Sequence, residues 1–284
     1  MDFSYEASLN ELKYLLNGYL EVSDSMKGVK SVETSNFSEI EGILKKVTYD
    51  TSSLILLAEE NMQYIQIEDE NLPMIAYPSI ISLARCIFES YLIFNYIFIN
   101  TRDDKDEFQY RFTLWQLDGF KTRQNFTVLS DEGKAKMKSE KSVVKELYKD
   151  LYSNPKYKIL PDKKRKQFEK KSFKWHPDLT SIALLAGINE RHWRNTYAFM
   201  SQYSHSGYLS AFQIRQINSQ EGAKSQCISS IQLVLILLAR FIDEYSTFHQ
   251  NVANALKSNE NLFAKVNFWV DISEGLEEHY KEKE

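Results

Sequence analysis

The sequence predicts an all-α protein, a multi-helix bundle. Glycine and proline together make up 14 of 284 residues, well under half of their usual share, which favours long uninterrupted helices. Apolar residues return every three or four positions through most of the chain, and no stretch alternates with period two for long enough to require a sheet. At 43% hydrophobic and 13% aromatic there is ample material for a core, which excludes a disordered or collagen-like chain. Successive glycines lie at least ten residues apart, so no Rossmann or Walker phosphate loop can be written.

Taken in order, residues 5–26 and 37–67 read as two helices joined by a turn rich in Gly, Ser and Thr at 28–35. Together they make residues 1–72 an N-terminal helical hairpin or extension, continuous with a main bundle over 73–284. Pro73 and Pro78 break the chain. The run SIISLARCIFESYLIFNYIFIN (79–100) is apolar on nearly all sides, the pattern of a helix in the centre of a bundle. Another helix starts near Asp103 or Asp104, which can cap it, and a polar, peripheral one covers 131–151. Asp178 caps a short helix ending at Gly187, Asn189 caps the next, and a break near Gly207 follows. Helices at 208–217 and 223–256 and a last one with an acidic end complete the chain.

Cys86 and Cys227 both lie in apolar runs, as small buried hydrophobes of a reducing compartment do, and they exclude a disulfide scaffold. The first residues are acidic and carry no secretory signal, so the expected location is the cytoplasm, with no membrane partner. Of the two most apolar runs, 79–100 holds Arg85 and Glu89, each costing about 2–3 kcal/mol at mid-bilayer. The run 231–242 is too short to span.

Residues 156–174 hold eight Lys and one Arg against two acids, a net charge of +7 that leaves −11 on the rest of the chain. Lys163, Lys164, Arg165, Lys166, Lys170 and Lys171 are candidates for tracking a phosphate backbone, with Trp175, Tyr157, Phe168 and Phe173 available to stack on bases. The alternative is an exposed segment kept soluble by lysine.

On the helix after Asn189, 100° per residue brings Arg194, Tyr197, Ser201 and His205 into one stripe, opposite Trp193, Phe199, Met200 and Tyr203. A wet helix face is usually written in Lys and Glu. A phenol, a hydroxyl and an imidazole instead suit a partly buried cleft. Arg85 and Glu89 share one face of the central helix, four residues apart. They satisfy each other, or Glu89 orients His205 while Arg85 meets an anion.

The segment LARCIFESYLIFNYIF, the downstream WHP and YAFMSQYSHSG carry an Arg-x-x-x-Glu pair, Trp-x-Pro and Tyr-x-x-x-Ser-x-x-x-His. In this pattern, formed by Arg85, Glu89, Trp175, Pro177, Tyr197, Ser201 and His205, the chain resembles an uncharacterised group of bacterial all-helical proteins over residues 78–238. That group is distantly similar to the HEPN superfamily, helical bundles that are often metal-independent ribonucleases of toxin, CRISPR and anti-phage systems. In HEPN nucleases an Arg lies five to seven residues before a His, and two copies meet in a dimer. Here Arg194 is eleven before His205 and Arg240 nine before His249. The resemblance implies a helical bundle, a possible homodimer or protein partner, and RNA as ligand.

Two functions compete. In the first, an endoribonuclease or RNA-binding protein without cofactor or metal, His205 activates a ribose 2′-hydroxyl. Arg85 or Arg194 then meets the developing charge, and Glu89, Ser201 and Tyr197 complete the site. In the second, a non-catalytic interaction protein, His205, Ser201 and Tyr197 form a buried network that fixes helix packing. A metal hydrolase built on His176, Asp178 and His205 is a weaker third option, because the spacing fits no recognised ligand pattern.

Overall fold

The computed structural model describes residues 3–25, 37–59, 75–170 and 173–281. The expected turn at 28–35, the end of the second helix beyond 59 and the 72/73 boundary lie outside these residues. Among the described residues there are thirteen α-helices, one π-helical segment and no strand. The all-α bundle is what the shortage of helix breakers requires. The chain divides into two units, one of residues 1–94 with 187–284, the other of Asn95–Ala186.

In the first unit, α1 (Tyr5–Asp24) starts at Ser4, whose hydroxyl accepts from the Ala7 amide. Both α1 and α2 (Phe37–Ala58) turn an apolar face inward, with Leu12, Leu15 and Leu54 fully buried. The central helix α3 (Tyr77–Phe94) buries Ile80, Ile81, Ala84, Ile87, Phe88 and Tyr91. Its partner is α11 (Gln220–Ser246), 27 residues long. The two meet through aromatic contacts, Phe94 on Phe241 at 5.0 Å and Tyr91 on Phe241 at 5.2 Å between ring centres. Each such side chain contributes roughly 1.5–3 kcal/mol by leaving water. Helix α2 packs on α3 and α1 on α11, so the N-terminal helices are part of this core.

The remaining helices of this unit are α9 (Glu190–Ser204), α10 (Tyr208–Gln216), α12 (Gln250–Ser258) and α13 (Glu260–Lys281). The single helix expected over 223–256 is in fact α11 and α12, broken at residues 247–249. There the Ser246 and Thr247 hydroxyls, each at 2.7 Å, donate to the carbonyls of Asp243 and Glu244, which gives the backbone an alternative to continuing. The 231–242 run therefore belongs to a longer helix and is not too short to span. Tyr77–Ile99 and Gln220–Ser246 are both long and apolar enough to cross a membrane, and more than half of each is buried inside the structure, as in core helices.

The second unit opens with a π-helical segment, Asn95–Ile99, closed by a bond from the Asn100 amide to the Asn95 carbonyl. Then come α4 (Lys105–Gln124), α5 (Asp131–Ser153), α6 (Pro155–Lys158), α7 (Asp162–Phe168) and α8 (Leu179–Leu185). Of the two expected caps of α4, Asp104 is the one used, accepting from the Glu107 amide at 3.0 Å. The core of this unit gathers Leu114, Leu117, Leu147, Leu151, Tyr157 and Phe168. Asp178 caps α8 as expected, and Gly187, at φ +76°, takes the left-handed turn before α9.

One expectation about cysteine fails. Cys227 is buried, but Cys86 is exposed, because it sits on the outer side of α3 next to the half-buried Arg85.

Candidate functional site

Two helices of the first unit bring a polar cluster together. Arg85 and Glu89 come from α3, and Tyr197 and His205 from α9. The start of α9 is held by Asn189, whose side chain accepts from the Arg191 and His192 amides at 2.8 and 3.2 Å. Its inner face is fixed by Trp193, packed edge-on against Phe88 at 5.0 Å. Its end is closed by the Gly207 amide reaching back to the Gln202 carbonyl at 2.7 Å. Ser206 supplies the left-handed residue that this closure needs, at φ +53°. His205 is the last residue before that turn, so its exposed ring stands at the end of the helix.

Arg85 is the hub. Its Nε donates to Glu89 Oε1 at 2.9 Å, Nη2 to the Tyr197 hydroxyl at 2.8 Å, and Nη1 lies 2.7 Å from His205 Nε2. A guanidinium cannot accept, so Nε2 is the acceptor and the imidazole proton sits on Nδ1. The Tyr197 hydroxyl passes its own proton to Glu89 Oε1 at 2.8 Å, closing a ring of three groups. The Tyr197 ring also stacks on Trp193 at 4.4 Å and lies 4.8 Å under the guanidinium carbon. Arg85 uses three of its five N–H groups, and two have no partner among the described residues.

The electrostatics follow from this geometry. Burial works against the Arg85 charge, but Glu89 and Tyr197 outweigh it and hold the guanidinium above its ordinary value. Burial, then the hydrogen bond to Glu89 and the charge of Glu89, push the Tyr197 phenol up. Tyr197 is therefore a proton donor in this cluster and not a base. The Arg85 side chain is 14% exposed and that of Glu89 36%, so the ion pair is at the rim of the core and reachable from solvent.

The other expected site residues stand apart. Arg194 is exposed and pairs with Glu190 one turn back, its Nε 2.7 Å from the carboxylate, so it does not join Arg85. The Ser201 hydroxyl is buried and has no hydrogen-bond partner among the described residues, so it is not joined to Tyr197 or His205 in the expected His-Ser-Tyr network. Glu89 makes its contacts with Arg85 and Tyr197, and so orients the arginine and not His205. Among the described residues no three of His, Cys, Asp or Glu are grouped as a metal ion needs.

In the second unit, Lys163, Lys164, Lys166 and Lys170 are exposed, and Arg165 pairs with Asp162. Lys171 lies outside the described residues. Tyr157 and Phe168 are buried and Trp175 and Phe173 pack against the same core. Tyr157 and Phe168 are therefore not free to stack on bases, whereas Phe173 and Trp175 are only partly buried.

Residues 50–223 match a family described as a family of unknown function (DUF5677). The chain belongs to this family. No curated protein and no solved structure matches it. The match to DUF5677 includes Arg85, Glu89, Tyr197, His205 and the whole basic segment. It leaves out nearly all of α11 and the whole of α12 and α13.

A second polar pair in the DUF5677 chain has no signal in the sequence. His192, on another face of α9, places Nδ1 2.7 Å from Glu277 Oε1 of α13, and Glu277 Oε2 accepts from the Asn189 amide at 2.5 Å. The partners are 85 residues apart, and no spacing rule connects them.

Proposed function

We propose that this protein is a metal-independent, HEPN-like endoribonuclease whose site is Arg85 with His205, working in a bacterial toxin or anti-phage setting. The observation that carries the reading is the 2.7 Å approach of Arg85 Nη1 to His205 Nε2 at the solvent-facing end of α9. HEPN nucleases pair an Arg and a His from one short motif. Here the pairing is spatial, with the arginine supplied by α3.

The two unpartnered N–H groups of Arg85 suit the non-bridging oxygens of a phosphodiester. As Arg85 turns towards phosphate, Nε2 of His205 is released with its lone pair and takes the proton of the ribose 2′-hydroxyl. The 2′ oxygen attacks phosphorus, the bond to the 5′ oxygen breaks, and that oxygen takes a proton from water. The products are a 2′,3′-cyclic phosphate and a 5′-hydroxyl end. Arg85 offsets the charge on the five-coordinate phosphorus, with Glu89 and Tyr197 holding its plane. Separately, in the second unit, the exposed lysines of α7 offer contacts to an RNA backbone.

The test is single-stranded RNA incubated with the full chain in EDTA. Wild type should leave cyclic phosphate ends, and His205→Ala should lose about a hundredfold or more in rate with an unchanged melting curve. No product from the wild type, or equal product from both, overturns the reading. The closed ring of Arg85, Glu89 and Tyr197 supports a second reading, a non-catalytic protein in which the cluster only ties α3 to α9. In that case His205→Ala changes stability or nothing at all.

A further inference from the structure

Between α9, α11 and α13 lies a half-open cavity of about 720 Å³, within the range of small-molecule sites. It draws on a different face of α9 from the Arg85 cluster and shares no residue with it. Met200, Leu233, Ile236, Trp269, Ile272 and Leu276 give it apolar walls; Asp271 and His279 also line it, and no Lys or Arg does. An anionic group would enter without a fixed counter-charge.

Two features mark it as more than a packing gap. His192 is one of its lining residues. With Nδ1 engaged by Glu277, its Nε2 has no hydrogen-bond partner among the described residues. The ring, stacked on Tyr280 at 5.0 Å and 7°, thus holds a hydrogen-bonding nitrogen in a fixed position. The second feature is Gly275, inside α13. Glycine in a helix interior costs about 1 kcal/mol relative to alanine, and close packing usually explains it. Here an added Cβ would meet nothing within 4 Å, so packing does not require the glycine. Gly275 lines the cavity, and a side chain there would enter open space.

We propose that this cavity binds a small, largely apolar molecule that carries one hydrogen-bonding group and no anionic group. Its body lies along Trp269 and Leu276, and its hydrogen-bonding group is on His192 Nε2. The site is independent of the RNA reading.

N-phenyl-1-naphthylamine, an uncharged ring system with a single N–H, is a suitable probe, and 1-anilinonaphthalene-8-sulfonate is the same framework with an anionic group. Fluorescence titration of the full chain should show saturable one-to-one binding of the amine, and binding of the sulfonate at least tenfold weaker. Gly275→Phe fills the cavity and should weaken the amine at least tenfold while keeping the wild-type circular dichroism and a melting temperature no lower. His192→Gln, which keeps a polar partner for Glu277, should weaken the amine as well. No saturable binding, binding untouched by a folded Gly275→Phe, or the sulfonate binding as tightly as the amine each overturns the proposal. Should Gly275→Phe misfold, Gly275→Leu takes its place with the same two outcomes.

Discussion

Arg85 holds the cluster together because it is the only member that touches all the others, and each contact is charge-assisted or aromatic. Tyr197 has two separable roles here. Its ring stacks on Trp193, while its hydroxyl links Arg85 to Glu89. Tyr197→Phe keeps the first and removes the second, so it should cost about 1 kcal/mol in urea denaturation and lower RNA cleavage by loosening the arginine. Ser201→Ala is the contrasting variant. Its hydroxyl is buried without a partner among the described residues, so its loss should leave stability within about 0.5 kcal/mol or raise it, with no effect on cleavage. Equal losses from the two variants would mean that the stripe, and not the Arg85 ring, is the functional unit. The sequence shows the two halves of this cluster clearly, since helical spacing alone puts Glu89 under Arg85 and His205 in line with Tyr197. It is silent on the join. Arg85 and His205 are 120 residues apart, and which helix faces which is decided by packing across the core. Arg194 misled for a related reason, because it has the right angle on α9 but stands one turn after Glu190, which is the nearer partner.

Helix α9 is the element that makes the site, and both of its ends are built for the purpose. Asn189 closes the start, while at the other end Ser206 accepts a left-handed backbone at φ +53° so that the chain can turn sharply after His205. For a residue with a Cβ that conformation costs about 1–2 kcal/mol, and strain of this kind concentrates at functional positions. Asn189→Ala should therefore lower stability by about 1 kcal/mol. Ser206→Gly should raise it by a similar amount, both read from thermal or urea melts. If the turn also sets the position of the imidazole, Ser206→Gly will lower cleavage despite the gain in stability. No gain would show that the Ser206 conformation is relaxed. The caps of α8 and α9 were legible because Asp and Asn in front of an apolar run have a local meaning. The break between α11 and α12 was not, since Ser and Thr stop a helix only when their hydroxyls turn back on it.

At the scale of the whole molecule, charge is unevenly distributed between the units. The +7 of residues 156–174 sits in the second unit of a chain whose remainder is −11. Composition alone pointed to lysines and aromatic rings acting together on nucleic acid. The fold separates the α7 lysines from Phe168, because a seven-residue helix can bury only one side, and Phe168 takes it. The lysines are left outward, where Lys163, Lys164 and Lys166 form no ion pair among the described residues. A surface of this kind binds phosphate without reading sequence, so its signature is salt dependence. Each phosphate contact to a single strand contributes about 0.7 to the slope of log affinity against log salt. Replacing all three lysines by glutamate should therefore weaken single-stranded RNA binding and flatten that slope by about 2. The melting curve should stay in place, because the side chains are exposed and support nothing. Affinity and slope unchanged by the triple replacement would leave the lysines with solubility as their role, and would confine RNA contact to the first unit and its arginine.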